Sequence, residues 1–186
     1  MGGIEMNNKS NVRKMVLTSI FLAFAIVLQL IGRNFVNINP LLIGPLISTV
    51  ILLDTYVCGL GHGMMISVLI PATAVPLGAL AAPLIPFVPF IVIGNMVFSA
   101  GFAAFMNRGK AGIYLGVFAG TLVKVLFLSF SATRLIFIMN LGIPEASAKM
   151  IGMAFTSPQI IISLLGGAVA VIGIEVMKRS RIARAV

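Results

Sequence analysis

Apolar residues run through this chain in long blocks, separated by short clusters that hold nearly all of its charge. Each block is roughly 18 to 25 residues long, the length a helix needs to cross a hydrocarbon core of about 30 Å. The pattern predicts membrane-spanning helices. The first covers residues 15–31 and is closed by Gly-Arg-Asn; the second covers 40–57. The third follows the GLGHG run and reaches Leu80, with Pro71 and Pro76 placed to bend it. The fourth enters through PLIPFVPF and continues to Met106, the fifth covers 111–130, and the sixth covers 156–177. The stretch 131–155 is too polar for a seventh span and reads as an outer loop or short helix. Linkers, low-complexity tracts and internal repeats are not evident in the sequence. The expected fold is therefore a single all-α domain over 1–186, an integral membrane bundle of six helices. A basic N-terminal segment (1–14) and a basic tail (178–186) flank it.

Composition sharpens this reading. Sixty per cent of the 186 residues are hydrophobic, 9% are charged, and the mean hydropathy is +1.15. A soluble domain of this size has too much surface per unit volume to hide so much apolar area. The first apolar block lacks a small-residue cleavage signal after it and is one of several, so it reads as a span and not a signal peptide. A single Cys excludes a disulfide framework and a Cys-rich metal site.

Charge gives the orientation. Lys9, Arg13 and Lys14 precede the first span, Arg108 and Lys110 separate the fourth and fifth, and Lys178, Arg179, Arg181 and Arg184 follow the sixth. An even number of spans puts these on one side, which the positive-inside rule makes cytoplasmic, with both termini. Five or seven spans would split the basic termini. Although the isoelectric point is near 10.7, the basic residues flank spans and do not form a soluble patch, which argues against nucleic-acid binding.

Small residues recur at helical spacing. Gly112, Gly116 and Gly120 stripe the fifth span, Ser19 and Ala23 the first, and Gly166 and Ala170 the sixth. Such stripes let helices approach closely, within the chain or against a partner.

One residue breaks the apolar pattern most sharply. Lys124 continues the glycine stripe and lies about 20 Å along its span from the cytoplasmic edge. An intramembrane charge costs several kcal/mol unless it is paired or hydrated. Two roles are open to it: snorkelling to the outer headgroups or pairing with backbone carbonyls, or facing the bundle interior to meet a ligand. The four acidic side chains are Glu5, Asp54, Glu145 and Glu175. Three fall on the cytoplasmic side, and Glu145 has Lys149 four residues on, so Lys124 has no evident internal counter-ion. That combination suggests that an anionic substrate supplies one, with Arg134 at the pocket mouth. Thr73, Asn95, Gln159 and Ser163 fall at compatible depths, and Arg33, Asn34, Asn37 and Asn39 crowd the first outer loop. Amides and hydroxyls of this kind orient ligands in apolar pockets, or hydrogen-bond helix to helix.

His62 has no second His and no near carboxylate except Asp54, so no metal site is expected, nor a serine–histidine dyad. There is no GxxxxGK[ST] loop for ATP and no chain of intramembrane acids of the kind coupled pumps use. Neither a catalytic set nor a cofactor is expected.

The basic N-terminus running into KMVLTSIFLAFAIVLQLIG, then GPLISTVILL and IPFVPFIVIGN, resembles the substrate-binding S component of an energy-coupling factor (ECF) transporter. The likeness covers nearly the whole chain. It implies a six-helix membrane protein of a prokaryotic cell membrane that captures a vitamin-like molecule at its outer side. Such a component delivers its cargo with a transmembrane coupling protein and two ATPases. The family's Ala-xxx-Ala partner signature maps to Ser19 and Ala23, with serine a departure. GPLIS and IPFVPFIVIGN look closer to the riboflavin/pantothenate/hydroxymethylpyrimidine-like branch than to the biotin or thiamine branches. The absence of Trp, and two Tyr near the cytoplasmic side, argue against a stacking cage for a large flat ring. A cation among amides suits a compact carboxylate such as pantothenate. The rival expectation is a membrane scaffold or small membrane enzyme whose polar residues only pack helices.

Overall fold

The computed structural model describes residues 2–34, 40–135 and 144–180, and every extended regular element among them is helical. In chain order these are α1 (Gly2–Asn34), α2 (Pro40–Cys58), α3 (Leu60–Ala74), a 3-10 turn (Ala82–Phe87), α4 (Val88–Met106), α5 (Gly109–Phe130) with a π turn at Ser131–Leu135, α6 (Glu145–Phe155) and α7 (Ser157–Arg179).

Among the described residues, four stretches are long and apolar enough to cross a membrane: Asn11–Asn34, Ala82–Met106, Gly109–Leu135 and Glu145–Arg179. Leu42–Cys58 and Leu60–Ala74 are apolar but shorter. The third element stops before the expected Leu80 because the backbone turns at residues 75–78, where Gly78 adopts a φ of 63°. Pro71 lies within α3 and does not end it. The basic N-terminal segment is continuous with the first span, since α1 runs back to Gly2. Of the stretch 131–155, expected to be an outer loop or short helix, Ser131–Leu135 continue α5 as a π turn, Glu145–Phe155 form a short helix, and 136–143 lie outside the described residues.

Outward faces carry large apolar side chains, among them Phe118, Leu126, Ile172 and Val176, each about 60% exposed. Inward faces form two cores. One joins Val50, Ile51, Leu52, Ile66, Phe98, Phe102 and Ile174; the other joins Phe87, Phe90, Leu128, Ile151 and Phe155.

The glycine stripe on α5 is filled from within the chain. A Cβ built on Gly116 would lie 2.7 Å from the Phe102 carbonyl oxygen, and one on Gly120 would lie 2.7 Å from that of Phe98. Across the seam, a Cβ on Gly101 would lie 2.7 Å from the Gly120 Cα. Side chains there would force α4 and α5 apart, so the stripe permits backbone-to-backbone packing. Gly166 plays the same part for α2 and α7, where a Cβ would meet the Ser48 Cβ at 2.6 Å.

Candidate functional site

Where α1, α2, α3, α4, α5 and α7 converge, a cavity of about 350 Å³ opens at the end of the bundle that carries the 75–87 segment and α6. Its wall is mostly apolar, with Ile43, Ile47, Ile70, Leu80 and Ile91 among the lining residues. Leu84 from the 3-10 turn and Ala154 and Phe155 from α6 also contribute. The α6 side of this wall is fixed by aromatic packing. Phe87 stacks on Phe90 at 5.1 Å between centroids and meets Phe155 at 4.8 Å.

Polar groups enter this apolar shell at a few points. Lys124 from α5, Asn95 from α4, Gln159 from α7, Gln29 from α1 and Ser48 from α2 all line it. Lys124 is 3% exposed, and its Nζ sits 4.7 Å from the centroid of the Phe98 ring. No hydrogen bond or ion pair to it occurs among the described residues. Among the described residues, no Asp or Glu lines the cavity. The long side chain therefore lies inside the bundle, against an aromatic face, with its charge unmatched by any acid. Gln29 is held in place: its Nε2 donates to the Ile70 carbonyl at 2.9 Å, and its Oε1 accepts from Thr73 at 3.3 Å.

Of the residues singled out in the sequence, Lys124, Asn95 and Gln159 meet in this wall. Ser163 lies one turn from Gln159 on the same α7 face, fully buried, with its hydroxyl unpartnered. On α5, Thr121 stands three residues before Lys124 and its hydroxyl is also buried and unpartnered. Thr73 is not in the cavity wall; it bonds the Ile70 carbonyl at 2.9 Å and supports Gln29. Arg33 is exposed and donates to the Leu77 carbonyl at 2.9 Å, tying the end of α1 to the 75–78 turn. Asn34 is exposed and bonds back to Leu30 on its own helix. Arg134 is exposed in the π turn and does not line the cavity. Asn37 and Asn39 lie outside the described residues. Ser19 and Ala23 line a shallow groove on the outer side of α1 with Val12, Met15, Val16 and Ile20.

Sequence reasoning passed over Gln29, Ser48 and Phe98. Gln29 carried the same signal as Asn95, an amide within an apolar block. It also passed over how deeply Asp54 lies. This carboxyl is fully buried and accepts from the Thr18 hydroxyl at 2.8 Å, while its Oδ2 has no partner. Nearby, the Ser67 and Ser99 hydroxyls meet at 3.1 Å between α3 and α4. Among the described residues, no group of three or more His, Cys, Asp or Glu side chains could hold a metal ion.

No family model, curated protein or solved structure matches this chain.

Proposed function

We propose that this protein is a multi-pass membrane subunit that captures a small anionic molecule in the Lys124 cavity, as the S component of an ECF-type importer does. The reading rests on one observation above all: a buried lysine faces a mostly apolar cavity with amides around it and no acid in the wall. A buried ammonium carries a large desolvation cost, which the counter-charge of a bound anion would offset. A compact carboxylate fits the chemistry, since one ammonium and a few amide and hydroxyl groups match one negative charge and its hydrogen bonds. Pantothenate is the preferred candidate.

In this reading six helices span a prokaryotic cell membrane, with α2 and α3 as short spans inside the bundle. Both termini are cytoplasmic, and the cavity opens outward. Release would be driven by partners, a transmembrane coupling protein and two ATPases, because the chain carries no nucleotide loop of its own. The Ser19–Ala23 groove on α1 is the proposed partner face. The reading assigns capture and delivery to the chain, without catalysis.

The test is binding by the full chain in lipid nanodiscs. Small carboxylates, pantothenate first, are compared with neutral counterparts such as pantothenol, in wild type and in Lys124→Met. Wild type should prefer the carboxylate, and Lys124→Met should lose about a hundredfold in carboxylate affinity, the usual scale for truncating one side of a buried charge pair. Equal binding of acid and neutral counterpart by wild type would defeat the proposal.

A further inference from the structure

A lysine side chain has enough length and rotamer freedom to leave a cavity wall for a wetter place. Lys124 does not do so, and the contact that holds it is with a ring. Its ammonium lies 4.7 Å from the Phe98 centroid, within the range at which a cation is drawn to an aromatic face. Phe98 is fully buried and does not itself line the cavity, whereas Lys124 does. The ring thus backs the ammonium from the protein side and leaves the cavity side open to a ligand.

The ring is itself fixed by the glycine seam. Gly120 stands one turn before Lys124, and a Cβ there would come within 3.2 Å of the Phe98 ring and 2.7 Å of the Phe98 carbonyl oxygen. Only a glycine at 120 lets α4 come close enough to set this ring against the next turn of α5. The small-residue stripe and the buried charge are therefore two parts of one arrangement.

We infer that Phe98 is a positioning residue for anion capture, its ring holding the Lys124 ammonium aimed into the cavity in place of an acidic partner. This rests on the anion-capture reading above and adds a reason for the missing acid. A carboxylate at that position would neutralise the lysine and compete with an anionic ligand. A ring stabilises the cation without cancelling its charge.

Graded fluorination of the ring tests this, because fluorine withdraws charge from the ring face while changing shape little. Full-length protein carrying mono-, di-, tri- and pentafluorophenylalanine at position 98 is assayed in nanodiscs. The probes are pantothenate against pantothenol and hexanoate against hexanamide, with Lys124→Met beside them. The inference predicts that carboxylate affinity falls stepwise with fluorination, by about tenfold across the series, with neutral-probe affinity unchanged. Phe98→Leu should resemble the pentafluoro ring, and its folding is not essential to the test. If Lys124→Met abolishes carboxylate preference while the fluorinated series stays flat, Phe98 is packing only and the inference fails alone. If wild type shows no carboxylate preference, the anion-capture reading falls and the Phe98 assignment goes with it.

Discussion

Lys124 and Asp54 are both ionisable, both buried and both set in otherwise apolar helices, yet their surroundings differ in kind. Asp54 lies in the half of the bundle near the α2–α3 turn, where α1 offers the Thr18 hydroxyl to its Oδ1. It is not among the residues that line the Lys124 cavity, and neither are Ser67 and Ser99, whose hydroxyls pair between α3 and α4. Lys124 lies in the other half, in the wall of a cavity of about 350 Å³, with a ring behind it and no acid in front. A buried polar group that finds its partner on a neighbouring helix ties helices together. One that faces open space is available to something else. Burial alone does not separate these roles; the partner does.

Substitutions that exchange the two behaviours break or sharpen this contrast. The largest expected effect is on folding. Asp54→Ala removes the carboxyl that accepts from the Thr18 hydroxyl in the core and should destabilise the bundle by about 2 kcal/mol, seen as an earlier unfolding transition in detergent. Carboxylate affinity of the surviving folded protein should be unchanged, and a parallel loss of affinity would mean that the two halves are not separable. Next in size is Gln159→Leu, which removes an amide from the cavity wall without touching the charge. It should weaken carboxylate binding by about fivefold, roughly the worth of one neutral hydrogen bond, with little change in thermal stability. An effect as large as that of Lys124→Met would place the anion on α7 instead of on the lysine. Smallest is Arg33→Ala. Its bond to the Leu77 carbonyl is exposed, so equilibrium affinity should move less than about threefold. A larger loss, measured by titration calorimetry, would bring the exposed rim into the binding site proper.

The Lys124 side of this contrast was legible in the sequence and the Asp54 side was not, and the limits have physical causes. Helices of spanning length follow from apolar blocks, and Lys124, Asn95 and Gln159 stand out because each is a polar residue where lipid or core requires apolar ones. Gln29 obeys the same rule. The Asp54–Thr18 bond joins residues 36 positions apart on different helices, and periodicity carries no information on which helices will face each other. Arg33, Asn34 and Arg134 cluster near the cavity end in sequence, yet their side chains go to backbone carbonyls or solvent, since a charge at a helix end is solvated at little cost. The α6 side of the cavity depends on Phe87, Phe90 and Phe155 coming together from three elements, which only tertiary packing decides.

The central claim is that the counter-ion of Lys124 arrives as cargo. Native mass spectrometry of the purified full-length chain, wild type beside Lys124→Met, tests it most directly. The account predicts a small acid retained at about one per chain by wild type and absent from the variant. The same small molecule held equally by both proteins, or an acid that binds only the variant, would contradict it.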